Sequence, residues 1–164
     1  FSNRSCHLAM RVHRRVDTTV LDISLEQAWA FFGQPENLAK ITPKNVGFEP
    51  LTGDGMAVYT GQIFTYRISP LAGIPMRWTT EISHVEHHDY FVDQQLSGPY
   101  ALWHHLHRFR ALEPEKTEVQ DILHYAVPGG ILGDVATGWW VRKAIDQIFA
   151  HRQHSLFGLF PPKS

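Results

Sequence analysis

What most constrains this chain is the stretch from Gly47 to Val127, where extended, alternating runs are cut short by turn chemistry at Gly53-Asp54-Gly55, Ser69-Pro70 to Pro75, His87 to Asp89, Gly98-Pro99 and Glu113-Pro114. Six strands fit between these breaks. The connections are too brief to hold crossover helices, so neighbouring strands must run antiparallel, as a meander.

A strand precedes this stretch and a helix follows it. From Arg11 to Leu21 the β-branched residues Val12, Val16, Thr18 and Val20 recur at the two-residue period of a half-buried strand. Ser24 and Gln27 have capping-box spacing, which predicts a short helix through Phe32 that Gly33 stops. Pro35 to Ile41 predicts a second short helix, closed at Thr42 and Pro43. After Pro128-Gly129-Gly130 and Gly133, apolar residues at Val141, Ile145, Ile148 and Leu156 mark one face of a helix of about five or six turns.

Composition sets the remaining bounds. With 164 residues, 43% hydrophobic and only 19% charged, the chain is long enough and apolar enough for one domain with one core. We expect it over residues 10–160, with 1–9 an N-terminal extension before Met10 and 161–164 a tail. A net charge of -1, with no basic run beyond the Arg11 to Arg15 strand face, argues against a nucleic-acid partner. A single cysteine, Cys6, excludes an internal disulfide framework, and no run of about 18 apolar residues marks a membrane span. Together these predict a cytoplasmic protein, monomer or homodimer, with no cofactor.

Four segments carry a resemblance: AWAFFGQPENLAKITP (Ala28 to Pro43), GPYALWHHLHRF (Gly98 to Phe109), VQDILHYAVPGG (Val119 to Gly130) and IFAHR (Ile148 to Arg152). In this order and at these distances they resemble the START-like (SRPBCC) superfamily, in a bacterial branch labelled polyketide cyclase or dehydrase-like. The resemblance implies an α+β helix-grip fold: a seven-stranded curved antiparallel sheet around a long C-terminal helix, with two short helices after strand one. It also implies a cavity for a hydrophobic small molecule.

Alternation then nominates the residues facing that cavity. On the sixth strand Trp103, His105, His107 and Phe109 share a face, and on the seventh Val119, Asp121, Leu123 and Tyr125 do. Pairing through the Glu113 to Lys116 turn would bring Asp121 near His105 or His107, provided the register does not slip. Strand four contributes Trp78. On strand five composition leaves the inward face open, and family-like spacing favours Phe91, Asp93 and Gln95. Trp140 and Arg152 bracket the apolar face of the last helix, and Arg152 has the charge to pair with an inward carboxylate.

Each polar residue in this set has two readings: it orients a ligand, or it satisfies its neighbours in a buried network. His105-Leu106-His107 also places two imidazoles on one strand face, which is a modest metal signal, and no metal is assigned from it. The expected function is binding of a lipid, isoprenoid or polyketide-like molecule for sequestration, transport or sensing. One alternative is a cyclase or dehydratase using His105 or His107 as acid or base, with Asp121 holding the ring. The other is an interaction module whose cavity is filled. A cavity of roughly 300 Å³ or more would favour the first two readings over the last. Ser69 to Pro75 and Gly129 to Gly138 read as loops, and their glycines would permit opening and closing, without assigning a gate.

Overall fold

Alternation does produce the sheet. In the computed structural model, which describes residues 10–53, 55–69 and 73–162, seven strands form one antiparallel sheet. They are β1 (His13–Leu21), β2 (Glu49–Pro50), β3 (Gln62–Ile68), β4 (Met76–Glu86), β5 (Tyr90–Ser97), β6 (Leu102–Glu113) and β7 (Lys116–Ala126). Their spatial order is β1-β7-β6-β5-β4-β3-β2, so the meander runs unbroken from β2 to β7 and β1 closes on its far edge. The expected N-terminal extension, Asp54, the centre of the Ser69 to Pro75 loop and the last two tail residues lie outside the described residues.

The bend in the sheet has a local cause. Between β4 and β5 the register shifts twice: Thr79 and Thr80 face Ser97 and Gln95, while Ile82 and His84 face Asp93 and Val92. Each shift inserts one surplus residue, Leu96 on β5 and Ser83 on β4. A β-bulge of this kind bends its strand and increases the twist.

Helix α1 (Leu25–Phe32) starts where the capping box predicts, with Gln27 N donating to Ser24 Oγ at 3.2 Å and Ser24 N donating to Gln27 Oε1 at 3.0 Å. A 3-10 helix (Pro35–Lys40) follows it. The C-terminal helix α2 (Gly130–Leu159) has 30 residues, about eight turns instead of the five or six expected. The difference lies at its start. Gly129 to Gly138 reads as a loop because of its glycines, yet all but Gly129 of it is helix. Gly129 caps the helix in the left-handed region (φ 86), and a Cβ on Gly133 would stand 1.9 Å from the Pro128 carbonyl oxygen. Glycine is needed there for close approach of backbone, so the segment read as a loop is a helix terminus.

One face of α2 is buried on the concave side of the sheet through Asp134, Gly138, Val141, Ile145, Phe149, Arg152 and Leu156. His13 on β1 and Asp134 on α2 fix the helix start to the sheet edge with a 2.6 Å contact. Among the described residues, no helix is long and apolar enough to cross a membrane.

Candidate functional site

Register decides which side chains meet beneath α2. His105 on β6 lies opposite Asp93 on β5, and His107 lies opposite Asp121 on β7. The two imidazoles, with ring centroids 3.9 Å apart, therefore stand between two carboxylates. His107 places Nε2 2.8 Å from Asp93 Oδ2 and Nδ1 2.9 Å from Asp121 Oδ1. His105 places Nε2 3.0 Å from Asp121 Oδ1 and Nδ1 3.5 Å from Asp93 Oδ2. From α2, Arg152 reaches Asp121 Oδ1 with Nη2 at 3.2 Å.

Burial makes this cluster electrostatically demanding, and the protonation states follow from who touches whom. Burial alone would raise the Asp121 carboxyl, but the Arg152 guanidinium and the bonds from both imidazoles hold it well below the usual carboxylate range. Asp93 is depressed too: burial opposes the shift, and the His107 bond with the charges of His105, His107 and Arg152 outweighs it. Burial and the neighbouring His107 push His105 down. His107 moves up, because its bonds to Asp121 and Asp93 overcome burial. His107 is thus the ring of the pair that holds a second proton more readily, and it lies between both carboxylates. Arg152 adds a cation beside Asp121, and carboxylates with such partners can be kept buried.

The cluster forms one corner of a cavity of about 160 Å³ between the sheet, the 3-10 helix and α2. Its other walls are mainly apolar, among them Phe64, Tyr66 and Ile68 of β3, Trp78 and Ile82 of β4, Leu38 and Ile41 beside the 3-10 helix, and Phe149 of α2. A second, neighbouring hollow of about 250 Å³ shares Pro35, Phe48, Phe64 and Tyr66 with the first and runs toward β2. Trp78 Nε1 and Arg152 Nε are buried without a hydrogen-bond partner among the described residues.

Of the residues nominated from sequence, Trp78, Phe91, Asp93, Trp103, His105, His107 and Arg152 line this cavity. Asp121 sits behind the histidines and is not part of the wall. Gln95 folds back on the turn, with Nε2 donating to the Tyr100 carbonyl at 2.8 Å. Phe109 packs against Trp29 and Phe32 under α1. Tyr125 stacks on His13, and Trp140 is 36% exposed on the outer side of α2. The sequence reading passed over Phe64, Tyr66, Tyr100 and Phe149, all of which form wall. The alternation of Phe64, Tyr66 and Ile68 on β3 was available as a signal.

No protein-family model and no curated protein matches the chain. Several solved structures are similar to it. The Zhui aromatase/cyclase from Streptomyces sp. R1128 is 12% identical, with a TM-score of 0.69, covering 90% of this chain and 93% of that one. Truncated norcoclaurine synthase from Thalictrum flavum is 12% identical at a TM-score of 0.67, covering 96% and 99%. Major latex-like protein 151 from Panax ginseng is 14% identical at 0.65, covering 92% and 99%. At these identities the likeness establishes the fold alone: this chain has the helix-grip fold that these structures share.

Proposed function

We propose that the chain binds an apolar small molecule in the cavity between the curved sheet and α2, for sequestration, transport or sensing. The observation that carries this reading is an internal hollow of about 160 Å³ with apolar walls and a single polar corner. That volume alone is smaller than the roughly 300 Å³ that would favour binding or catalysis over a filled cavity. A cavity of about 150 Å³ takes a benzene ring, so the body seated here is about one ring in size. A longer lipid, isoprenoid or polyketide chain needs the adjoining 250 Å³ hollow as well, reached past Phe48, Phe64 and Tyr66.

Burying one ring removes roughly 150–250 Å² from water and contributes about 4–6 kcal/mol at 25 cal/mol per Å². After an association cost of at least about 4 kcal/mol, at most about 2 kcal/mol is left, an affinity of tens of millimolar or weaker. Tighter binding requires a polar anchor. Asp93, His105, His107 and Arg152 are the groups in position to supply one, and the unpartnered Trp78 Nε1 and Arg152 Nε favour a ligand bearing an acceptor oxygen.

A second reading, a cyclase or dehydratase, is favoured by one observation: His105, at the cavity wall, is an imidazole that Asp121 holds at 3.0 Å and that burial pushes down toward its neutral form. Native mass spectrometry of the chain purified from its own host tests binding, with a retained apolar ligand as the expected result. A chain that carries none, and whose tryptophan fluorescence is unmoved by single-ring apolar compounds, would overturn it. With a ligand in hand, His105→Gln and His107→Gln separate the two readings. Lost turnover with retained binding means catalysis.

A further inference from the structure

We propose that Asp93, His105 and His107 form a binding site for one divalent first-row transition-metal ion, with Asp121 as the carboxylate that orients both imidazoles from behind. The two rings present opposite edges to the two carboxylates. Their near nitrogens, His105 Nδ1 and His107 Nε2, converge on Asp93 Oδ2 at 3.5 and 2.8 Å. Their far nitrogens, His105 Nε2 and His107 Nδ1, both meet Asp121 Oδ1, at 3.0 and 2.9 Å.

One ligand atom from each of Asp93, His105 and His107 can be drawn so that all three lie within 4.8 Å of one another. Two ligands held about 2.1 Å from one ion, at right or tetrahedral angles, stand about 3.0–3.4 Å apart. The near-edge spacings bracket that value.

The far edge supplies the second observation. A metal-bound histidine donates its other ring N–H to a carboxylate, a carbonyl or water, which fixes tautomer and ring orientation. Here a single carboxylate is placed to accept from both rings, and Arg152 Nη2, 3.2 Å from the same oxygen, balances its charge. The third observation is position. Asp93, His105 and His107 line the cavity and Asp121 does not, so the remaining coordination positions of an ion would face the hollow. Two imidazoles and one carboxylate with open positions is a donor set used by Zn²⁺ and Fe²⁺.

The site shares the proposed ligand cavity but does not rest on it, because metal uptake is measured with no apolar ligand present.

The test uses the full chain stripped with chelator, titrated with Zn²⁺ by calorimetry and with Co²⁺ by visible absorption. One ion per chain is expected, with His105→Gln and His107→Gln each lowering Zn²⁺ affinity by about 100-fold or more. Asp121→Asn should lower it about 10- to 100-fold with the stoichiometry kept. No saturable uptake by the wild type, or an affinity that His105→Gln and His107→Gln leave within about twofold, would overturn the proposal and assign any binding to other histidines. Should these variants fail to fold, proton NMR of the wild-type Co²⁺ form decides. Two paramagnetically shifted, solvent-protected imidazole N–H signals are expected, and none would overturn it.

Discussion

The two halves of the concave face are similarly buried and unequally filled. Under α2, Val119 and Leu123 of β7 pack against Val141, Ile145 and Leu156, all within 3% of full burial. Under the 3-10 helix, Phe64, Tyr66 and Ile68 of β3 are also buried, at 7–8% exposure, yet they face open space. Both halves arise from the same inward alternation, and what differs is the cover. A 30-residue helix sends a continuous row of side chains into the sheet, while a six-residue 3-10 helix spans its part of the sheet without reaching the floor. Burial and close packing are therefore separate properties here, and the hollow lies on the side of the 3-10 helix.

The seam between the halves is the His–Asp cluster, and breaking it gives the largest expected effect. Asp121→Ala leaves His107 and Arg152 without their shared acceptor and should cost about 3–5 kcal/mol in urea unfolding. A cost below about 1 kcal/mol would mean that the cluster does not join the halves. Next comes a matched pair with the same side chain and the same 1% exposure, Ile145 on the filled side and Ile82 at the cavity wall. Ile145→Ala should cost about 4 kcal/mol and Ile82→Ala about 2, since the latter enlarges space already present. Equal costs would show both halves to be packed alike.

Acid should act through the seam more gradually. Asp121 and Asp93 are depressed in the folded chain, so their stabilisation is present above the unfolded carboxylate range near pH 4 and is lost as pH falls below it. His107 is raised and His105 lowered, so around pH 6.5 their contributions oppose each other. Thermal melts of the metal-free protein should therefore show a steep loss below about pH 4 and little slope near 6.5, and Asp121→Asn should flatten the acid limb. The smallest effect is expected at the start of α1, whose Phe31 and Phe32 help cover the hollow half. Ser24→Ala removes one arm of the capping box and should cost about 1 kcal/mol in the same urea assay.

Strand order, the capping box and the approach of Asp121 to His105 and His107 were all legible from sequence, for a common reason. Each depends on a short-range signal: a two-residue period, a three-residue spacing, or a tight turn between Glu113 and Lys116 that leaves little freedom of register. The hollow was legible only as an implication of resemblance, and its size was not legible at all. Alternation tells which face a residue occupies but not what lies opposite. The same limit misplaced the start of α2, where Gly133 reads as a breaker although the Pro128 carbonyl requires it. It also explains Trp140, an apolar side chain one residue, and so about 100°, away from the buried Val141.

The surplus residue at Ser83 has a further consequence for anyone wishing to redesign this protein. Ahead of it the inward positions of β4 are even-numbered, Trp78, Thr80 and Ile82, while beyond it Val85 joins the core. Excising Ser83 would straighten the ribbon and keep Val85 inward, because Ile82, His84 and Val85 would then follow one another opposite Asp93, Val92 and Phe91 without a break. The curvature of the bowl is thus set in part by surplus backbone positions, at Ser83, Leu96 and, near the β6–β7 turn, Leu112, and reshaping it is a task of insertion and deletion before it is one of choosing side chains.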